Sequence, residues 1–356
     1  MTQYDRALHP HRRWNPLLET YVLCSPHRSQ RPWQGAQEAV HHDDIPEYEE
    51  KCYLCPGNAR ASGERNAQYT STFVFENDFA ALRPEAHAPA APAHPLLRDE
   101  PARGRCYVLC FSPKHNLTLA HLSSPQIVPI VRAWKELYSR IAAENPFVKY
   151  IQFFENKGSA MGCSSPHPHG QIWSLDYVPT EPAKVMQSLR KYANDPANAT
   201  VAARDPLGRP SLLLEYARLE LSLPGRPRVV TTNDDFCVLV PYWAVWPFEV
   251  LILPHRRHIP SLKELSEEEE RSLSAVIGEI TCRYDNLFTT SFPYSMGIHQ
   301  RPVPQGSPAD ADEEAWSYAI FHIHFYPPLL RSATVRKFLV GCVCTDQIRN
   351  DGRATA

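Results

Sequence analysis

Two segments of this chain run through the same order of residues and elements, so one folding problem is solved twice. Val108-Leu109-Cys110-Phe111 leads to Pro113, His115, Leu119 and Leu122, then to a helical pattern, a strand pattern and the pair His167/His169. Val250-Leu251-Ile252-Leu253 leads to Pro254, His258, Leu262 and Leu265, then to a second helical pattern and the pair His322/His324. In each segment the histidine precedes the second leucine by the same spacing. The 34 prolines sit largely between apolar runs, which favours short strands and irregular loops over long helices. The pattern predicts an α+β protein of two tandem halves, residues 1–183 and 184–356. Each half is expected to be largely antiparallel sheet flanked by helices.

Apolar residues at helical spacing (Ile127, Val131, Trp134, Leu137, Ile141) predict a helix over Ser124–Ala143. A second is expected over Ser266–Leu287, with Ser266 as N-cap and Glu267 to Glu270 complementing the helix dipole. Strands are predicted at 72–75, 106–111, 150–154, 236–240, 250–253 and 320–326. Residues 86–105, with Pro89, Pro92, Pro95 and Pro101, read as an exposed loop.

A net charge of -2 with both signs interspersed argues against nucleic acid or anionic lipid as the main partner. The most apolar segment, 236–253, is broken by Pro241, Pro247 and Glu249 and reads as buried strands instead of a membrane span. Residues 1–18 contain no apolar run like that of a signal peptide. Ten cysteines without an export signal predict a reduced, cytoplasmic setting, where paired cysteines are metal ligands or free thiols before they are disulfides.

The chemistry concentrates in Gly162-Cys-Ser-Ser-Pro-His-Pro-His-Gly-Gln171. In an extended chain His167 and His169 share one face, suited to a metal, to nucleophilic attack, or to neither. Cys52-Tyr-Leu-Cys55 before Pro56-Gly57 has zinc-knuckle spacing, and histidines such as His115 and His167 could complete a tetrahedral site. A redox Cys-X-X-Cys usually opens a helix, whereas this one ends in a turn. If His167 binds metal, His169 is free to attack phosphorus, with the Gln171 amide donating to a phosphoryl oxygen. Asn156-Lys157-Gly158 and Gly162 to Ser164 then resemble an anion cradle of backbone amides and one cation. His322 and His324, beside His299 and His258, form a second imidazole cluster, either a structural metal site or mutual packing. Arg28 and Arg31 suit a phosphate clamp or an ordinary solvated surface.

Five strings taken together carry a resemblance. They are Cys-X-X-Cys at 52–55, Arg-Pro-Trp-Gln-Gly at 31–35, His-Pro-His-Gly-Gln at 167–171, Ser-Phe-Pro-Tyr-Ser-Met-Gly at 291–297, and His-Phe-Tyr-Pro-Pro-Leu-Leu-Arg-Ser-Ala-Thr-Val-Arg-Lys-Phe at 324–338. In this order they resemble the galactose-1-phosphate uridylyltransferases of the histidine-triad superfamily, from about Asp5 to about Gly341. The resemblance implies two tandem histidine-triad-like halves in a homodimer. It implies ping-pong transfer of UMP between UDP-glucose and galactose 1-phosphate, in galactose metabolism. His169 would be the nucleophile, and Gln171 would hold the uridylylated intermediate. Zinc would fall to Cys52, Cys55, His115 and His167. The UDP-sugar would be held by Asn77, Asp78, Asn156, Gly162, Cys163, Ser164 and Gln171, with Leu54, Phe75, Phe79 and Val108 around the uracil. Arg28 and Arg31 would reach the partner subunit's site, and Lys337 and Phe338 the sugar.

A second metal, iron or zinc, would fall to His299, His322 and His324. Val185 stands where the family's fourth ligand, a glutamate, belongs, and Glu181 is the nearest acid. After Gly341 the chain reads Cys342-Val343-Cys344 and ends at Ala356, where the family continues with Tyr-Glu and a long helix, so weaker sugar recognition is expected. The alternatives are another histidine-triad nucleotidyltransferase, such as a dinucleoside polyphosphate phosphorylase, and a catalytically impaired UDP-sugar-binding homologue.

Overall fold

The computed structural model describes residues 3–26, 45–88, 94–304 and 316–328, and the backbone of 347–349. Its elements are β1 (His11–Asn15), β2 (Thr20–Cys24), β3 (Phe73–Glu76), β4 (Gly104–Cys110), α1 (Ser124–Glu144), β5 (Tyr150–Lys157), β6 (His169–Leu175), α2 (Thr180–Asn194), α3 (Leu212–Ser222), β7 (Val229–Thr232), β8 (Phe236–Leu239), β9 (Val250–Pro254), α4 (Glu267–Phe288), β10 (Tyr294–His299), β11 (His322–Tyr326) and β12 (Gln347–Arg349).

The two long helices start alike. Ser123 and Gln126 form a capping box before α1, and Ser266 and Glu269 form one before α4, at the same distance after the repeated histidine and leucines. Each box satisfies backbone N–H groups that the first helical turn leaves without partners. The expected limits of both helices hold to within a residue.

Nine strands form one antiparallel sheet in the order β3-β4-β6-β5-β10-β11-β9-β8-β7. Read from the seam between β5 and β10, the first half runs β5-β6-β4-β3 and the second β10-β11-β9-β8. Replacing β3, β4, α1, β5 and β6 by β8, β9, α4, β10 and β11 reproduces the same unit, so the repeat is structural. One cross-strand row spans both halves: Phe75, Val108, Gln171, Phe154, Gly297, His324, Leu251, Leu239. Gln171 lies opposite Val108 and His324 opposite Leu251, each the same distance before the repeated histidine. The second half therefore has His322 where the first has His169, and His324 where the first has Gln171.

One sheet face packs on α1 and α4, burying Ile127, Trp134, Ile151, Phe153, Ile172, Ile277, Met296, Ile298 and Ile323 in the main core. Each fully buried aliphatic or aromatic side chain there contributes about 1.5–3 kcal/mol. The opposite face is covered at its β8–β9 end by α2 and α3, through Val185, Leu189, Leu213, Leu239 and Leu251. At its β3–β4 end lies the lobe of the two cysteines. Between these covers, β6, β5 and β10 present a partly open strip.

The predicted strands appear within a few residues. The expected loop at 86–105 ends sooner, because Gly104 and Arg105 already belong to β4. β6 and β10 lie outside the predicted strands, because their half-buried HGQIWSL and YSMGIH lack a long β-branched run. Among the described residues, no helix is long and apolar enough to cross a membrane.

Candidate active site and metal centre

Cys52, Cys55, His115 and His167 come together, all buried, with their ligand atoms within 4.8 Å of one another. Cys55 Sγ is 3.6 Å from His115 Nδ1 and 3.5 Å from His167 Nδ1. A tetrahedron with metal–sulfur and metal–nitrogen bonds of about 2.3 and 2.0 Å has an S–N edge of about 3.5 Å. The Pro56-Gly57 turn shapes the knuckle, and the Leu54 amide donates to Cys52 Sγ at 3.3 Å. Asn66 anchors the loop by donating to the carbonyls of Tyr53 and Cys55. Burial pushes the Cys55 thiol up to about 11. A bound cation reverses that penalty by pairing with the thiolate. The four residues fit a closed metal site.

The two histidines of the His-Pro-His string are locked in opposite tautomers. His167 Nε2 lies 2.9 Å from the Ser112 carbonyl and 3.0 Å from the Tyr69 hydroxyl, whose own proton goes to the Leu54 carbonyl. Both neighbours accept, so Nε2 carries the ring proton and Nδ1 offers its lone pair to the metal. His169 does the reverse. Its Nδ1 lies 2.8 Å from the His167 carbonyl, so Nδ1 donates and Nε2 keeps the lone pair. Burial lowers the pKa of His169, against the pull of that carbonyl bond, and favours the neutral ring. Between His169 and Gln171 only glycine fits: a Cβ on Gly170 would lie 2.9 Å from Phe111 and 3.0 Å from the Phe154 carbonyl oxygen.

Gln171 follows on the same face of β6, beside Val108 and Phe154. Asn156 is on the same face of β5, opposite Ser295. After β5 the turn at 159–161 closes on Gly162, whose φ of 79° needs glycine, and Cys163 and Ser164 follow. Cys163 Sγ donates to the Ser165 carbonyl at 3.0 Å, and Ser164 Oγ lies 3.4 Å from Tyr53 Oη. Lys157 corrects the expected cradle. Strand alternation turns it to the helix-covered face, where Nζ pairs with Asp285 at 2.7 Å. It is not the cradle's cation.

Among the expected nucleotide contacts, Phe75 and Val108 share the cross-strand row of Gln171. Asn77, Asp78 and Phe79 follow β3, with Asn77 Oδ1 accepting from the Phe79 amide and Phe79 81% exposed. Leu54 is packed inside the cysteine lobe. Arg28, Arg31, Lys337, Phe338 and, apart from the backbone of 347–349, the tail after Gly341 lie outside the described residues.

His299, His322 and His324 form a second group with ring centroids 5.0–5.2 Å apart. His322 Nδ1 donates to the Ile320 carbonyl at 2.8 Å, repeating the bond that sets the His169 tautomer. Its Nε2 and His299 Nδ1 are buried without a partner. Burial lowers His299 to about 4, against the charge of Glu181, and His322 to about 3. His258 is not part of this group: its Nε2 donates to the Ala319 carbonyl and its Nδ1 accepts from Ser211. Val185 packs among Met186, Leu189 and Leu213 and offers no ligand, while Glu181 is paired with Lys184 at 2.9 Å.

Sequence reasoning missed Trp173, Tyr69, Ser112 and Ser295. Strand alternation from Gln171 to Trp173 was an available signal; the others depend on contacts between distant segments.

A sheet of two like α+β units, with a His-X-His-X-Gln string leading out of a Cys2His2 centre, defines a tandem histidine-triad protein. Residues 1–179 match the family described as galactose-1-phosphate uridyl transferase, N-terminal domain, and residues 187–351 its C-terminal domain. The chain is 45% identical to the galactose-1-phosphate uridylyltransferase of Kluyveromyces lactis, with 98% of this chain and 91% of that protein covered. It is also 45% identical to that of Haemophilus influenzae, over 95% and 89% of the two chains. A solved uridylyltransferase superposes with a TM-score of 0.63 at 23% identity, over 92% of this chain and 91% of the other. An ADP-glucose phosphorylase from Arabidopsis thaliana with bound ADP-glucose gives 0.67 at 20%, over 92% of each. The chain belongs to the galactose-1-phosphate uridylyltransferase family and is a nucleotidyltransferase.

Proposed function

We propose that the chain transfers UMP from UDP-glucose to galactose 1-phosphate through a uridylyl-His169 intermediate. The observation that carries this reading is the tautomer of His169: with Nδ1–H held by the His167 carbonyl, a neutral Nε2 faces the strip where Gln171 and Asn156 offer amides. His169 Nε2 attacks the uridylyl phosphorus, the P–O bond to glucose 1-phosphate breaks, and galactose 1-phosphate takes UMP in the second step. Gln171 cannot protonate a leaving group, which suits one that departs as a stable anion. The test is UDP-glucose alone, which should release glucose 1-phosphate in an amount matching the enzyme. Galactose 1-phosphate added afterwards should yield UDP-galactose. Failure of both steps would reject the reading.

Residues Asn77, Asp78, Gly162, Cys163 and Ser164 are assigned to the UDP-sugar, with Phe75, Phe79, Val108 and Leu54 near the base. Arg28 and Arg31 are assigned to the site of a second subunit in a homodimer, and Lys337 and Phe338 to the sugar.

Zinc is the metal that suits Cys52, Cys55, His115 and His167, as a closed structural ion. It would fix His167, whose carbonyl fixes His169. At His299, His322 and His324 two ring nitrogens buried without a partner support a second metal, iron or zinc, but the trio does not gather its ligand atoms as the cysteine site does, and the buried Val185 supplies no anionic ligand. Occupancy there should therefore fall clearly below that of the cysteine site on elemental analysis of protein purified without added metal. Stoichiometric metal coordinated by Glu181 would contradict this.

The pH dependence follows from burial. The folded pKa of His169 is depressed, so its neutral form persists below the ordinary value of 6.5. The single-turnover release of glucose 1-phosphate should stay flat from pH 8 down to about 6.5 and decline only below it. An acidic limb centred above 6.5 would mean that another group controls the step.

A further inference from the structure

Three carboxamides lie on this face of β5 and β6: Gln152 donates to the Phe153 and Ile298 carbonyls, whereas Gln171 and Asn156, beside His169, each have the oxygen taken by a neighbouring side chain. Trp173 Nε1 lies 3.2 Å from Gln171 Oε1. An indole N–H can only donate, so the amide oxygen is drawn toward Trp173 and the NH2 end is left outward. Trp173 is held in turn edge-on against Phe154, with ring centroids 5.5 Å apart. On the other side, Ser295 Oγ donates to Asn156 Oδ1 at 2.6 Å across the seam between the halves. Ser295 belongs to the Ser-Phe-Pro-Tyr-Ser-Met-Gly string, which has no other assigned role.

We propose that Trp173 and Ser295 are positioning residues that hold these two amides with their N–H donors toward the phosphate that His169 attacks. A free carboxamide presents either end at similar cost, and its oxygen would repel a phosphoryl oxygen. Fixing the donor end in advance removes that competition and the reorganisation it entails. The need is acute because Lys157, the nearest cation in sequence, faces the other side of the sheet. The second half repeats the device: Tyr326, at the position of Trp173, lies 3.0 Å by its hydroxyl from His324 Nδ1, at the position of Gln171. Two strands that share no ligand set thus tie the side chain at the Gln171/His324 position to the one two residues on.

The chemistry rests on the uridylyl-transfer reading, and the test separates the two. Trp173→Phe keeps an aromatic ring against Phe154 while removing the N–H together with part of the indole's area, and the double-variant cycle below separates the two losses. It should slow single-turnover release of glucose 1-phosphate about tenfold, with little change in the KM for UDP-glucose. In a Gln171→Ala background the same substitution should cost less than about twofold, because there is no amide left to orient. Ser295→Ala should behave likewise against Asn156→Ala. Equal losses with and without the partner amide would overturn the proposal and leave Trp173 and Ser295 as packing residues. If the unsubstituted chain releases no glucose 1-phosphate, the transferase reading falls, and the same cycles are read on UDP affinity by calorimetry. Coupling between partners then supports the positioning role, and additivity or absence of UDP binding overturns it.

Discussion

His169→Ala should leave the protein folded and reduce UMP transfer by about 10⁴-fold or more, the scale on which removing a nucleophile acts when no other group can replace it. The ring is only partly buried, and its one intramolecular hydrogen bond, to the His167 carbonyl, is local. Little stability should be lost with it. Protein incubated with UDP-glucose labelled in the uracil should carry an acid-labile label, since a phosphorus–nitrogen bond to imidazole hydrolyses when the ring is protonated. The alanine variant should carry none. Label retained at full stoichiometry would remove His169 from the role and point to a different nucleophile, since His167 has its free nitrogen turned to the cysteines.

Loss of the cysteine centre should act on folding. Cys52→Ser is expected to purify without the metal proposed for this centre and to melt well below the parent. Structural zinc sites contribute apparent binding free energies of about 10–16 kcal/mol in small domains. Forfeiting even a third of that, roughly 4 kcal/mol, would lower the melting midpoint by about 5–10 °C. The apolar cluster of this lobe is small, formed by Leu54, Tyr69, Val108, Cys110 and the two cysteine side chains with Phe73 and Phe75 against it. Without the ion, the lobe must keep buried thiols and two desolvated imidazoles in place for no bond in return. Because the Tyr69 hydroxyl and Ser112 carbonyl orient His167, Tyr69→Phe should weaken metal retention without removing a ligand. A Cys52→Ser protein with full zinc and an unchanged melting curve would show that the four residues are not the site.

The sequence by itself carried the architecture. The repeated histidine and leucine spacing, the helical periodicities and the Ser266 cap before the acids of α4 depend on interactions within a few residues and are visible without a fold, whereas the Ser123–Gln126 box of α1 emerged with the structure. The Cys-X-X-Cys and His-Pro-His-Gly-Gln strings narrowed the chemistry to metal binding or nucleophilic attack without deciding between them, and the resemblance carried by the longer strings assigned the roles. Lys157 and Trp173 were half legible: period-two alternation from Asn156 and Gln171 already separates the sheet faces, but only the strand assignments say where it applies.

The division of labour between His167 and His169 was decided by tertiary structure alone. Both rings are the same chemical group two residues apart, and what distinguishes them is which nitrogen meets an acceptor. For His167 that acceptor comes from Ser112 and Tyr69, 55 and 98 residues away in the chain, and for His169 it is the backbone of His167 itself. The same holds for the second half, where one strand register places His322 and His324 at the positions of His169 and Gln171 while Val185 turns into an apolar cluster. A tautomer is fixed by an acceptor within about 3 Å, and only the assembled sheet brings such acceptors from distant segments to that distance.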